Sequence, residues 1–186
     1  MEKIRTFIAV DIPVSQKIKD LIAEIKKTGV NAKLVEPENI HITLKFLGDT
    51  NTALVNDIEK IIKESTDKIS PFEIKLRNVG VFPNTNYIKV FWIGVENTEI
   101  LGKISKEIDR KLSELDFEKE RREFSAHLTI ARIKSAKNKE KILQLIKKYN
   151  GVEFQNVPVD RIILKKSQLT QKGPIYTNIR EITIGE

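Results

Sequence analysis

The sequence has no cysteine among its 186 residues, and this absence excludes several kinds of chemistry. A chain without thiols forms no disulfide, holds no zinc ion or iron–sulfur cluster through thiolates, and uses no cysteine nucleophile. It also has no apolar run of the roughly eighteen residues that a membrane-spanning helix needs. The first apolar stretch carries Asp11 and Pro13 and lacks a small-residue cleavage site, unlike a signal peptide. We therefore expect a cytoplasmic protein that does not bind membranes.

Charged residues are plentiful but unevenly distributed. Hydrophobic residues make up 40% and charged residues 32% of the chain, a balance typical of globular rather than disordered proteins. Lysine and arginine exceed the acids by seven, and the stretch 118–148 alone holds ten basic and four acidic residues. A basic surface favours partners that carry phosphate. Solvated lysine-rich helices produce the same count, so charge alone leaves both interpretations open.

Apolar periodicity predicts an alternation of strands and helices that occurs twice. A strand is predicted from Ile4 to Asp11, and Ser15 is a suitable cap for a helix that ends near Gly29. The rest of the first half is predicted to contain a strand over 40–47, a helix that includes 54–62 and a strand over 72–82. The second half is predicted to contain a strand over 87–95, a helix over 98–115, a strand over 124–133, a helix over 139–149, and final strands over 158–169 and 175–184.

Matching elements of the two halves recur at nearly constant intervals. This internal repeat predicts a single bilobal domain over 1–186, with halves at roughly 1–83 and 87–186 and with two sheets that meet across a shared groove. We expect a ligand in that groove and a monomeric protein. The pattern leaves open the strand order, and whether the terminal strands cross between the lobes.

Two histidines occur in the chain, and each begins a motif of the form His-x-Thr-x. Residues 41–44 are His-Ile-Thr-Leu, and residues 127–130 are His-Leu-Thr-Ile. Both motifs lie in predicted strands at equivalent points of the repeat. Because side chains alternate along a strand, the histidine and the threonine of each motif share one face. The repeat therefore predicts that two imidazoles and two hydroxyls face the groove from opposite sides.

This arrangement suits hydrolysis of a cyclic phosphodiester. One group must take a proton from the attacking water while another gives a proton to the departing ribose oxygen, and imidazole does either near neutral pH. We expect His41 and His127 to form this acid and base pair. The hydroxyls of Thr43 and Thr129 are expected to donate hydrogen bonds to the non-bridging oxygens. Arg132 is expected to add a positive charge, although strict alternation places it opposite the histidine unless the strand twists, bulges or ends.

Two other interpretations of the motifs compete with this one. A single His-x-Thr is often a strand segment with a buried, hydrogen-bonded ring, but the presence of both histidines at equivalent places argues against that. Two histidines a domain apart, without cysteine and without an acidic residue in either motif, form a poor set of ligands for zinc. We therefore expect no metal at the site.

The sequence resembles the two-histidine phosphoesterase superfamily, and within it the LigT-like RNA 2′,3′-cyclic phosphodiesterases, historically called 2′-5′ RNA ligases. The similarity spans nearly the whole chain. It is carried by Arg-Thr-Phe-Ile-Ala at 5–9, Pro-Glu-Asn-Ile-His-Ile-Thr-Leu-Lys-Phe-Leu-Gly at 37–48, His-Leu-Thr-Ile-Ala-Arg at 127–132, Ser-Gln-Leu at 167–169 and Gly-Pro-Ile-Tyr at 173–176.

The resemblance implies a fold and a reaction. The implied fold is α+β and bilobal with pseudo-twofold symmetry, with two antiparallel sheets lining a central cleft and helices on the outer faces. The implied reaction opens terminal 2′,3′-cyclic phosphates on RNA to a 2′-phosphomonoester, without a metal or another cofactor. By this resemblance His41 is the general acid for the leaving 3′-oxygen and His127 the general base for water, a division that the pseudo-symmetric pair itself leaves open. Fragments of tRNA and small cyclic nucleotides are candidate substrates.

Two positions depart from the family's pattern. Ala126 replaces a proline that commonly precedes the second histidine, which removes a rigid residue but no reactive group. Leu34 replaces a tryptophan before the first motif, so stacking on a base must come from elsewhere, with Phe46 and Tyr176 as candidates. Because Phe46 has the wrong parity to share the face of His41, we expect it in the core and leave it out of the site.

Two further functions remain open at this level. Ligation of RNA ends through a 2′-5′ linkage is the reverse reaction and would use the same acid and base. A non-catalytic RNA-binding module would use the histidines only to contact phosphate, and the basic stretch 118–148 is consistent with that function.

Overall fold

The computed structural model describes residues 2–135, 137–171 and 173–185, and in these ranges it contains nine strands and four α-helices. The strands are β1 (Lys3–Asp11), β2 (Ala32–Leu34), β3 (His41–Asn51), β4 (Phe72–Pro83), β5 (Ile88–Glu96), β6 (His127–Ile133), β7 (Glu153–Val159), β8 (Arg161–Thr170) and β9 (Gly173–Thr183). The helices are α1 (Gln16–Lys27), α2 (Val55–Thr66), α3 (Glu99–Leu112) and α4 (Lys139–Lys148). The short strands β2 and β7 are additions that periodicity did not predict.

The strands form two antiparallel sheets, which confirms the predicted α+β class. The first sheet has the order β3-β1-β8-β9, and the second has the order β2-β6-β5-β4-β7. Each sheet contains strands from both halves of the sequence, since β4 pairs with β5 and β7 while β8 pairs with β1. Because of this exchange of strands, the chain passes between the two sheets and connects the two lobes covalently.

Helix α1 shows how local sequence specifies these elements. The side chain of Ser15 accepts a hydrogen bond from the backbone N–H of Ile18 at 3.4 Å, which caps the helix. Ile18, Leu21 and Ile25 fall on one face and are fully buried. Gly29 has a φ of 68° just after the helix, a conformation that glycine adopts without strain.

The two strands that carry the histidines divide their side chains between core and cleft. Ile42 and Leu44 on β3, and Leu128 and Ile130 on β6, belong to the apolar core that also receives the buried faces of the helices. The histidines and threonines of the motifs alternate with these residues and line a cleft between the sheets. Among the described residues, no helix is both long enough and apolar enough to cross a membrane.

Candidate active site

All five residues singled out from the sequence line one cavity of about 460 Å³. His41 and Thr43 enter it from β3, and His127, Thr129 and Arg132 enter it from β6. These strands belong to different sheets, so the cavity is the groove between the lobes. The structure therefore brings together side chains that are more than eighty positions apart in the sequence.

Both imidazoles are held by the same backbone contact. Nδ1 of His41 lies 2.7 Å from the carbonyl oxygen of Asn39, and Nδ1 of His127 lies 2.8 Å from the carbonyl oxygen of Ser125. A carbonyl only accepts hydrogen bonds, so each Nδ1 carries the proton and donates it. In the neutral ring this leaves the lone pair on Nε2. Each histidine thus has one nitrogen fixed to the backbone and one nitrogen available for proton transfer.

Two aromatic rings pack beside the first histidine. The ring of His41 lies 4.9 Å from the ring of Phe7 and 5.3 Å from the ring of Tyr176, measured between centroids. Burial lowers the pKa of His41 below its usual value of 6.5, and the hydrogen bond to Asn39 acts in the opposite, smaller direction. Lys165 also lowers this pKa through its positive charge. In the free protein the first histidine is therefore biased towards the neutral form.

The second histidine has an aromatic neighbour in a matching place. The ring of Phe82, on β4, meets the ring of His127 edge-on at a centroid distance of 5.1 Å. Phe82 in turn packs on Trp92, whose ring occupies the space beside Gly80. A Cβ added at Gly80 would come within 2.2 Å of the indole, so only glycine allows this approach. This packing fixes the wall behind His127.

A bulge in β6 turns Arg132 into the cleft. Thr129 pairs with Trp92 and Ala131 pairs with Phe91, which leaves Ile130 as an extra residue that is not paired with β5. The extra residue reverses the alternation, and Arg132 therefore lines the same cavity as Thr129. A twist, a bulge or a strand end was needed for Arg132 to face the cleft, and the structure contains the bulge.

An equivalent bulge in β3 corrects the expectation for Phe46. Thr43 pairs with Ala9 and Lys45 pairs with Ile8, which leaves Leu44 as the extra residue. Phe46 therefore lines the cavity and is 48% exposed, instead of lying in the core as expected from parity. The repeat contained a signal for this position, since residue 46 follows the first histidine at the same interval as Arg132 follows the second.

Sequence reasoning also missed Arg5. Its guanidinium carbon lies 4.9 Å from the centroid of the Phe46 ring, a cation–π contact at the cavity wall. Among the described residues, the charged side chains that line the cavity are the cations Arg5, Lys33 and Arg132 and one carboxylate, Glu36. This balance makes the cavity attractive to anions.

The remaining wall is largely apolar. Leu34, at the position where the family commonly has tryptophan, lines the cavity and pairs with Ala131 of β6. Tyr176 also lines it, and burial raises the pKa of its hydroxyl while the charges of Arg132 and Arg5 oppose that rise. The cavity therefore combines the two histidines and the cationic side chains with an apolar wall and with the rings of Phe7, Phe46 and Tyr176.

Comparison with known proteins places this cleft in a family. A model of the family described as LigT like phosphoesterase matches residues 8–92 and again residues 93–176, so that each match contains one histidine motif. The chain belongs to this LigT-like phosphoesterase family, which confirms the resemblance noted in the sequence.

Relatives and solved structures agree with that assignment. The chain is 45% identical over 179 residues to a Methanocaldococcus jannaschii protein, covering 95% of this chain and 99% of the relative. It is 39% identical over 181 residues to a Methanothermobacter thermautotrophicus protein, covering 95% and 97%. Both relatives are named RNA 2′,3′-cyclic phosphodiesterase. The fold is shared with TT0787 of Thermus thermophilus (TM-score 0.76, 24% identity, 97% and 98% covered) and with E. coli LigT in apo form (TM-score 0.73, 16% identity, both chains fully covered).

Proposed function

We propose that this protein is an RNA 2′,3′-cyclic phosphodiesterase that opens a terminal cyclic phosphate and leaves a 2′-phosphomonoester. The observation that carries the proposal is the pair of imidazoles in one cavity, each fixed through Nδ1 to a backbone carbonyl. The relatives described above support the choice of substrate, because their names specify this reaction and the identity extends over nearly the whole chain.

In the proposed reaction the two histidines act on opposite sides of one phosphorus. Nε2 of His127 takes a proton from water as the water oxygen bonds to phosphorus. Nε2 of His41 gives its proton to the 3′-oxygen as the bond from phosphorus to that oxygen breaks. The products are a free 3′-hydroxyl and a 2′-phosphomonoester, and the proton gained by His127 restores the pair through solvent.

The other cleft residues are proposed to stabilise the charge that develops on phosphorus. The hydroxyls of Thr43 and Thr129 donate hydrogen bonds to the non-bridging oxygens, and Arg132 adds a guanidinium. The substrate itself assists His41, because a bound phosphate anion favours the charged form of a nearby imidazole and raises its pKa. Burial thus lowers the pKa of His41 and bound substrate raises it, and His41 becomes protonated once the complex forms.

The substrates proposed for the cleft are RNA ends that carry a 2′,3′-cyclic phosphate, including fragments of tRNA, and the smaller cyclic nucleotides that share the same ring. The protein is proposed to act as a monomer and without a metal or another cofactor. Ligation through a 2′-5′ linkage is the second candidate function, since the same acid and base serve the reverse reaction.

The test uses a short RNA that ends in a 2′,3′-cyclic phosphate, with wild-type protein and the variants His41→Ala and His127→Ala, in the presence of a chelator. Each variant is expected to lose about 10² to 10⁴ in rate, and the wild type is expected to release the 2′-monoester. A requirement for a divalent metal would contradict the proposal. So would a protein that binds the RNA without turnover, the result expected of a binding module.

A second reaction separates hydrolysis from ligation. RNA ends with a cyclic phosphate are incubated together with RNA ends that carry a 5′-hydroxyl, and the joined and the hydrolysed products are quantified. The proposal predicts that hydrolysis predominates, whereas predominance of the joined product would assign the ligase function.

A further inference from the structure

A buried ion pair joins the first histidine strand to helix α3. Nζ of Lys45 lies 2.6 Å from Oδ1 of Asp109 and 2.6 Å from the carbonyl oxygen of Glu118. The lysine side chain is only 4% exposed, while the aspartate side chain is 20% exposed. Burial of an ammonium group is costly unless it is paired and hydrogen-bonded, so the contact strongly constrains the parts that it connects.

The same helix anchors the segment that leads to the second histidine. Oδ1 of Asp109 also accepts a hydrogen bond from the backbone N–H of Glu120 at 3.0 Å. A few residues later the ring of Phe124 lies beside Gly102 of α3, where a Cβ added to the glycine would be 3.8 Å from it. The next residue, Ser125, provides the carbonyl that accepts the Nδ1 proton of His127. The segment is therefore fixed to α3 on the approach to the carbonyl that orients the ring.

The contacts of the two bulges are reciprocal. The carbonyl of Leu44, the extra residue in β3, accepts a buried hydrogen bond from the hydroxyl of Ser105 on α3 at 2.8 Å. The carbonyl of Ile130, the extra residue in β6, accepts a hydrogen bond from the N–H of Val35 at 2.9 Å. Val35 shortly precedes Asn39, whose carbonyl orients the first histidine. Each bulge is thus bonded to the part of the structure that positions the histidine of the other motif.

We propose that Lys45 and Asp109 are positioning residues that hold the second histidine in place relative to the first. Neither is among the residues that line the cavity, so they act through the segment 118–125 and not by contact with substrate. Lys45 directly follows the bulge of β3. Through Asp109 and the segment 118–125, the ion pair fixes the position of the Ser125 carbonyl that orients His127. The kinetic part of this inference rests on the proposed cyclic phosphodiesterase activity.

The kinetic test compares Lys45→Met and Asp109→Asn with Arg110→Met. Arg110 lies on the same helix and forms an ion pair with Glu107 at 2.8 Å on the surface, which makes it a matched control. Displacement of a reacting group by about 1 Å costs on the order of 10² in rate, so kcat should fall about 10- to 100-fold in the first two variants, with KM within about threefold. The control should stay within about twofold because surface ion pairs contribute little.

A double variant separates positioning from general damage. In a protein that already carries His127→Ala, Lys45→Met should cost less than about twofold in kcat, because the group that it positions is gone. If the two losses multiply, the ion pair does not act through His127 and the inference is wrong.

NMR spectroscopy tests the inference without a measurement of activity. The chain has two histidines, so the ring-nitrogen NMR signals are few and are assigned with His41→Ala. In Lys45→Met the Nδ1–H signal of His127 should lose its hydrogen-bonded shift, while that of His41 keeps it. This holds even if the protein acts on another phosphate ester, which distinguishes the failure of this inference from failure of the proposed function. Should Lys45→Met not fold, Asp109→Asn provides the test, and unchanged signals from both rings would overturn the inference.

Discussion

Phe46 and Arg132 occupy equivalent positions in the two halves of the cleft, because each follows a motif histidine at the same interval and each is turned inward by a bulge. One position carries an apolar ring and the other a guanidinium. The approximate symmetry of the two histidines therefore does not extend to their surroundings. We expect the substrate to bind in one direction, with the non-bridging oxygens near Arg132 and a base near Phe46.

Replacement of the arginine should weaken stabilisation of the developing charge. We expect Arg132→Gln to lower kcat/KM about 10²-fold, a loss typical of one donor to a reacting oxyanion. Arg132→Lys should recover only part of the loss, since it keeps the charge but not the planar fork. Arg110→Gln is the control, because Arg110 pairs with Glu107 on the exposed side of α3. Steady-state kinetics in which all three variants match the wild type would contradict the role of Arg132.

Replacement of the aromatic ring should weaken binding of the base. Stacking of a base on an aromatic side chain contributes about 1–3 kcal/mol, so Phe46→Ala should raise KM about 5- to 150-fold. Tyr87→Ala is the matched control, since Tyr87 is 58% exposed and does not line the cavity. The effect of Phe46→Ala should disappear on ribose 2′,3′-cyclic phosphate, which has no base. An equal loss on that compound would mean that Phe46 supports the fold of the cleft instead.

The pH dependence follows from the lowered pKa of His41. As the proposed acid, His41 must be protonated, so activity is expected to fall as pH rises through its pKa. In the free protein burial keeps that pKa below 6.5, and the alkaline limb of kcat/KM should lie below pH 6.5. The alkaline limb of kcat should lie higher, because the bound phosphate raises the same pKa. NMR titration of the His41 ring, with and without inorganic phosphate, measures both values, and a midpoint at or above 6.5 without phosphate would contradict the account.

Removal of a threonine hydroxyl should affect turnover more than binding. Thr129→Val keeps the shape of the side chain and removes the donor, so kcat should fall about 10²-fold with a small change in KM. Thr129→Ser should restore most of the rate. Thr177→Val, at an exposed position of β9 outside the cavity, is the control. A rise in KM with unchanged kcat would assign Thr129 to ground-state binding.

Periodicity in the sequence predicted most of the strands and helices because their apolar faces are regular. It also predicted which face the motif residues share, since Ile42 and Leu128 alternate with them and are fully buried. Periodicity did not predict the exchange of strands between the sheets. Pairing of Ile8 with Leu164 depends on contacts between distant parts of the chain, which local periodicity does not report.

The misplacement of Phe46 has a specific physical cause. Parity holds only while a strand has no extra residue, and Leu44 is such a residue. At the bulge the Leu44 carbonyl accepts a hydrogen bond from Ser105, and the next residue, Lys45, forms the ion pair with Asp109, so both contacts are tertiary. The local sequence contains no signal for these contacts. The repeat offered an indirect signal, because a place for Arg132 in the cleft already required β6 to twist, bulge or end at the equivalent point.

The division of roles between the histidines is tested most directly by changing the leaving atom. A cyclic phosphate with sulfur in place of the 3′-oxygen needs little protonation to leave. We predict that this substrate restores His41→Ala to within about tenfold of the wild-type rate, because the acid is then dispensable, while His127→Ala remains slower by about 10² or more because water still requires a base. Restoration of His127→Ala instead, or of neither variant, would contradict the assignment of His41 as the acid and His127 as the base.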